Sequence, residues 1–209
     1  EPREPSAEAG QGGSGTPREA RTGGWRDKRG GRVAWDYPAE GGTVVRVYGG
    51  SQGSQAMNEA VGGWIRSGMP DDLHIIWATG RGNHDEYADL ESARVKVRPY
   101  LTPVSDAYRA ADLALSRAGA MATAELAAWG IPPIVIPLPT AAADHQTANA
   151  KALAAAGAAE MIIQSQLDVE CLDRSVRALV ETPALLAGRP PPVKPRPRPP
   201  TARRNPTTH

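Results

Sequence analysis

Between residues 43 and 181 the sequence alternates between short β-branched or aliphatic runs and longer polar or alanine-rich stretches with helical spacing. That alternation constrains the fold more than any other feature. Strands separated by helices are not joined by hairpins; they lie side by side in parallel, with helices over both faces of the sheet. Strands are expected at "TVVRVYG", "LHIIWAT", "RVKVRPY", "DLALS", "PPIVIPL" and "AEMIIQ". Helices are expected at "QAMNEAVGGWIRSG", "VSDAYRAA", "MATAELAAW", "HQTANAKALAAAG" and "QLDVECLDRSVRALVE". Gly62 and Gly63 weaken the first helix, while Gly130 and Gly157 close theirs. The class is α/β, and ligands of such sheets sit at the carboxyl ends of the strands, where loops meet helix N-termini.

The ends of the chain read differently. Residues 1–42 are rich in Gly, Pro, Glu and Arg with few aliphatics before Val33, and residues 182–209 form a basic, proline-rich tail. Neither composition buries enough surface to offset the entropy of ordering it, so both are expected to be disordered, the tail partly as polyproline II. This leaves 43–181 as the one folded domain. Arg189, Lys194, Arg196, Arg198, Arg203 and Arg204 give the tail six cations and no acid; with a whole-chain net of +1, the rest carries −5. A basic tail is able to touch anionic lipid or nucleic acid, but a solvated tail is the plainer reading, and no nucleic-acid partner is expected. The single cysteine, Cys171, excludes an intrachain disulfide and a thiolate metal cluster. No run approaches the length of a membrane-spanning helix, and the first residues lack a signal-peptide pattern. The first residue is Glu rather than Met, which suits a fragment or a processed product.

Three loops stand where the chemistry should be. The first is Gly49-Gly50-Ser51-Gln52-Gly53-Ser54, between a strand and a helix. Its glycines allow a tight turn and close backbone approach; the helix behind it offers free N–H groups and the positive end of a dipole to an anion; Ser51 adds a hydroxyl. It is neither GxGxxG with its downstream acid nor GxxxxGK[ST], and a plain strand–helix turn is the alternative. The second, "SRAGAMATAE", enters a helix at about Gly119. The N–H groups near Ala120 and Met121 are again open to a phosphate, and Glu125 is placed either to accept from two adjacent ribose hydroxyls or simply to complement the dipole. The third, "PLPTAAADHQTANA", brings Asp144, His145 and Gln146 to a helix start. There Asp144 is either an N-cap or, with Gln146, directed at sugar hydroxyls.

The histidines add little. His74 lies on an apolar strand, His84 in a polar turn, His209 at the tail end, and only His145 near the proposed ligand edge. Their spacing is not that of metal ligands, so neither a metal nor a cofactor is expected. No Gly-x-Ser-x-Gly elbow supports serine hydrolase chemistry.

"VYGGSQGSQAMNEAV", "LHIIWATGRGNHDEY" and "DLALSRAGAMATAELAAWGIPPIVIPLPTAAADHQTANAKALAAAGAAEMI" resemble the C-terminal half of the MurG family, N-acetylglucosaminyltransferases of glycosyltransferase family 28. The resemblance covers about 43–181 and is most specific over 112–162. It implies a single Rossmann-like domain, the donor half of a GT-B fold, binding UDP-N-acetylglucosamine without a cofactor or metal. It further implies that Ser51 and Gln52, with Gly50 and Gly53, face the diphosphate. Leu101, after Tyr100, meets uracil through backbone groups. Ala120 and Met121 open the helix facing the phosphates, Glu125 takes the ribose, and Gln146 lies near the sugar. The implied location is cytoplasmic, or peripheral at the cytoplasmic face of the bacterial inner membrane.

The departures from that family bear on activity. No "GGTGGH"-like run occurs, and "WDYPAEGG" stands where the family has an Asn-Pro-Val-Arg stretch before the first strand. The expectation is therefore an intact donor half and a missing acceptor half, with no catalytic residue in this chain. The lipid-linked muramyl-pentapeptide and the membrane surface belong to the complete enzyme, through a possible separate acceptor-binding domain. The alternatives are a non-catalytic interaction module or gene remnant, and another GT-B UDP-sugar enzyme.

Overall fold

The computed structural model describes residues 27–139 and 144–182. Six parallel strands form one sheet: β1 (Thr43–Tyr48), β2 (Leu73–Ala78), β3 (Val95–Arg98), β4 (Leu113–Ser116), β5 (Pro133–Val135) and β6 (Glu160–Met161), in the order β3-β2-β1-β4-β5-β6. The chain works outward from β1 to β3, then returns to β1's other side and works outward again. The register sets Thr43 opposite Leu73 and Tyr48 opposite Ser116, so β1 and β4 end together. Order reverses between those two strands, and the crevice above such a point is the general ligand position of open parallel sheets.

Among the described residues, seven α-helices flank the sheet: α1 (Lys28–Val33), α2 (Gln55–Gly68), α3 (His84–Tyr87), α4 (Val104–Ala110), α5 (Ala120–Trp129), α6 (His145–Ala155) and α7 (Val169–Val180). Alternation along β1 divides the core. Val45 and Val47 point to a large cluster with Met57, Trp64, Leu172 and Val176, under α2 and α7. Val44 points to a second cluster with Trp35, Tyr37, Leu101, Ala107 and Ala110, under α1 and α4. Burial on both faces explains why the strands read as nearly continuous apolar runs.

The two glycines expected to weaken α2 serve its packing. A Cβ on Gly62 would come within 2.9 Å of the Tyr87 ring, and one on Gly63 within 2.9 Å of a Val169 methyl. The helix is held by tertiary contact, which overrides propensity. Expected strands at the far edge are shorter than their apolar runs. β5 stops before Pro137, which has no N–H for the ladder, and β6 pairs only through Glu160 and Met161.

The segment 27–42 departs from expectation: it is folded rather than disordered. Asp27 caps α1 by accepting from the Gly30 N–H at 2.9 Å. Trp35 and Tyr37 are 8% and 4% exposed. The Tyr37 hydroxyl donates to the Ile75 carbonyl at 2.6 Å, and burial pushes its pKa well up. Arg32 is buried with its guanidinium on the Gly41 and Gly42 carbonyls and on Asp112, at 2.6–3.0 Å. Asp112 also takes Lys28 and the Val44 N–H. Two aromatic side chains supply the area that the scarce aliphatics do not. The expected tails at 1–26 and 183–209 lie outside the described residues.

Candidate functional site

The described residues after β1, β3, β4 and β5 lie at the carboxyl edge of the sheet, and the residues singled out in the sequence for the UDP-sugar lie among them or on the helices that follow. The glycine loop after β1 turns back on itself, the Gly53 N–H donating to the Gly50 carbonyl at 3.0 Å. Gly50 and Gly53 have φ of 103° and 77°, a region that favours glycine. Gly53 is closed to any side chain, because a Cβ there would sit 2.0 Å from the Thr79 carbonyl oxygen. That oxygen also accepts from the side chains of Asn58 (2.8 Å) and Asn83 (3.3 Å). Trp77 Nε1 in turn donates to Asn58 Oδ1 at 3.1 Å. The loop thus rests on the turn after β2, with Ser51 and Gln52 exposed at its tip.

Ser54 is the N-cap of α2, accepting from the Met57 N–H. Its hydroxyl oxygen also accepts from Arg117 Nη2 at 2.6 Å. Arg117 further donates to the carbonyls of Ile136 and Pro137, at 3.2 and 3.4 Å. Burial lowers the pKa of this guanidinium. One side chain therefore ties the loops after β1, β4 and β5 together. Sequence reasoning passed over it, although an arginine directly after a buried strand and before a glycine turn was the available signal.

The start of α5 is built differently. Its N-cap is Gly119, which has no side chain to cap with. The Thr123 N–H bonds to the Gly119 carbonyl, so the N–H groups of Ala120, Met121 and Ala122 have no intrahelical acceptor. Ala120 is exposed and Met121 is 80% exposed. One and a half turns on, exposed Glu125 accepts a hydrogen bond at Oε2 from the Tyr108 hydroxyl of α4. Tyr108 stacks on Trp129, with ring centroids 5.5 Å apart and planes 7° apart. Burial raises the Tyr108 pKa to about 12, opposed by the charge of Arg46 and reinforced by Glu125. Arg46 itself is 2% exposed on β1, its guanidinium carbon 4.2 Å from the Tyr108 ring centroid and 5.1 Å from that of Tyr48.

Leu101 is 3% exposed with its side chain in the second core cluster, next to Tyr48. Its backbone N–H and carbonyl take no backbone partner among the described residues. The ring of Tyr100, which sequence reasoning named only as a neighbour, is 48% exposed beside it. A cavity of about 200 Å³ adjoins Tyr100 on the β3 side, between Trp35, Lys96, Arg98 and Pro103, away from the glycine loop.

At α6, Asp144 occupies the N-cap position with φ of 54°, but its side chain makes no capping bond. Gln146 Oε1 accepts from the Leu138 N–H at 3.0 Å, and Asn149 donates to the Ala118 carbonyl at 3.2 Å. Both bonds brace the helix against neighbouring loops. His74 packs on Tyr37 with centroids 4.7 Å apart, and burial lowers its pKa, helped by Arg32 and Arg94. Among the described residues, no group of three His, Cys, Asp or Glu is placed to hold a metal ion, and no helix is long and apolar enough to cross a membrane.

Residues 44–190 match the model of the glycosyltransferase family 28 C-terminal domain. A curated relative, the UDP-N-acetylglucosamine–N-acetylmuramyl-(pentapeptide) pyrophosphoryl-undecaprenol N-acetylglucosamine transferase of Salinibacter ruber, is 41% identical over 140 residues, 66% of this chain and 38% of that protein. The Methylococcus capsulatus transferase of the same name is 43% identical over 143 residues, 67% of this chain and 40% of that protein. The chain thus spans about two-fifths of the length of these relatives. Among solved structures, Acinetobacter baumannii MurG superposes with a TM-score of 0.63 at 31% identity, over 75% of this chain and 46% of that one. The spinosyn rhamnosyltransferase SpnG, complexed with thymidine diphosphate, shares the fold at 20% identity with a TM-score of 0.59, over 74% of this chain and 41% of that one.

Proposed function

The chain belongs to the glycosyltransferase family 28 C-terminal domain family, and on that premise we propose that it binds UDP-N-acetylglucosamine as the donor half of an N-acetylglucosaminyltransferase. Its sheet is the Rossmann-like C-terminal half of a GT-B fold. The observation that carries the reading is the uncapped N-terminus of α5, standing beside the glycine loop where strand order reverses. Free N–H groups at that position suit a diphosphate, and a carboxylate one and a half turns further on suits the ribose attached to it.

In this reading Gly50, Ser51, Gln52 and Gly53 approach the diphosphate from one side, and the N–H groups of Ala120 and Met121 from the other. Glu125 accepts from the ribose hydroxyls. The backbone of Leu101 pairs with the uracil edge while Tyr100 lies against the base. The side-chain amide of Gln146, whose oxygen is already engaged, offers its N–H groups to the sugar. Transfer breaks the bond between the sugar's anomeric carbon and the diphosphate, leaves the electron pair on UDP, and forms a bond from an acceptor hydroxyl oxygen on the opposite face, whose proton passes to a base of the acceptor-binding half. The charge developing on UDP is stabilised by fixed N–H donors, each of a kind worth about 2.7–4 kcal/mol where it acts on a transition-state oxyanion. The acceptor, a lipid-linked muramyl-pentapeptide, and the attack on the sugar belong to an assembled enzyme with an acceptor-binding domain at the cytoplasmic face of the membrane. Residues 43–181, extended by the folded segment from 27, form the donor domain.

Calorimetric titration of the chain with UDP-N-acetylglucosamine, UDP-glucose and UDP tests this. The expected result is binding that prefers the N-acetyl sugar and weakens when Glu125 is replaced by Ala. A folded chain that binds none of the three overturns the reading.

A further inference from the structure

Arg46 is out of place by the rules that explain the rest of β1. It stands in a strand otherwise made of valines, Thr43 and Tyr48, and it is 2% exposed. No carboxylate lies within ion-pair distance among the described residues, and its Nε has no hydrogen-bond partner. Glu125 acts on this buried cation as a favourable charge at longer range, but no direct ion pair offsets its burial. Its contacts are two aromatic faces: Tyr48 on its own strand, and Tyr108 across the sheet face, at 4.2 Å. The second contact leads somewhere. Tyr108 donates its hydroxyl hydrogen to Glu125 and is clamped from the α5 side by Trp129.

We propose that Arg46 is a positioning residue for Glu125, acting through Tyr108 to fix the carboxylate that accepts the ribose hydroxyls. The proposal rests on the donor-site reading above. A cation on the face of a phenol ring draws electron density from it and makes its O–H a stronger donor. The Tyr108 hydroxyl engages Oε2 of Glu125, and Oε1 has no hydrogen-bond partner among the described residues. An exposed glutamate normally samples many rotamers and loses that freedom on binding. A chain of contacts from β1 through α4 to α5 removes the loss in advance, which is preorganisation. Stacking of Tyr108 on Trp129, about one helical turn beyond Glu125 on α5, locks the same geometry from the other side.

The test is titration of the full chain and its variants with UDP and with 2′,3′-dideoxyuridine diphosphate, which lacks the hydroxyls Glu125 would meet. Arg46→Met keeps the volume and removes the charge, a change that folded proteins often tolerate. It is expected to weaken UDP binding about tenfold and dideoxy binding by less than about twofold, with Arg46→Lys recovering part of the loss. In a Glu125→Gln background the Arg46→Met effect should disappear. No loss, or an equal loss for both nucleotides, overturns the proposal. If Arg46→Met does not fold, Tyr108→Phe removes one hydroxyl and keeps the ring, and the same selective loss is required of it. Should Glu125→Gln leave UDP affinity unchanged, the ribose reading fails and this inference with it; a loss there with none in Arg46→Met and Tyr108→Phe overturns this inference alone.

Discussion

The helices α2 and α5 begin side by side, each after one of the two adjacent central strands, yet their first turns are opposites. Ser54 seals α2 with its own hydroxyl, and Arg117 holds that hydroxyl from behind. Gly119 leaves α5 open, with three N–H groups unclaimed within the helix and exposed residues around them. The contrast separates two jobs that a glycine-rich strand–helix turn usually combines. The α2 end fixes the shape of the loop in front of it. In the proposed donor reading, the α5 end keeps its dipole and donors for the diphosphate. Changes at the first end should therefore move stability, and changes at the second should move affinity.

The largest effect should come from the loop that the sealed end supports. Gly53→Ala sets a Cβ into the Thr79 carbonyl at a left-handed backbone position. It should cost about 3 kcal/mol of unfolding free energy, read from denaturant titration. A variant as stable as the parent would mean that the loop is free to move, and the contrast with α5 would lose its basis. Next is Gly119→Asp. The position has φ of −66° and open space around a Cβ, so a cap is accommodated. Stability should rise by a few tenths of a kcal/mol while UDP affinity falls by about tenfold or more, because the new carboxylate occupies and repels the anion's place. Affinity unchanged by that substitution would remove the α5 end from the site. Ser54→Ala should cost about 1 kcal/mol of stability with little change in nucleotide affinity, the reverse pattern. The smallest effect is a control far from both ends. Burial lowers the His74 pKa, so the unfolded chain binds the proton more readily than the folded one. Stability present above the unfolded value of about 6.5 should decline as pH falls below it, and His74→Gln should flatten that slope in melting curves.

The sequence and the structure agree best where chemistry is local. The strand, glycine turn, Ser54 cap and start of α2 follow one another within a dozen residues, and each is marked by its own residue type. The packing role of the paired glycines of α2 and the folding of segment 27–42 were not legible for a common reason. Gly62 looks unfavourable until Tyr87 is seen against it, and Trp35 and Tyr37 are diluted by the polar residues around them until the sheet face they cover is known. Glu125 was legible from its place one and a half turns into a helix, with a ribose contact and a dipole complement both open, and the family resemblance implied the ribose. Its support was not legible, because Arg46, Tyr108 and Trp129 come from three elements and meet only after folding. The Asp144 side chain, offered either as a cap or as a sugar contact, makes no capping bond in its left-handed turn.

Arg117 has a consequence for motion. Its guanidinium bonds to Ser54 and to two carbonyls after β5 from its own place after β4. None of those three loops can lift away while the other two stay bonded to it. The rim of the crevice should therefore open as one cooperative unit, and amides on all three loops should exchange their hydrogens with a shared opening free energy.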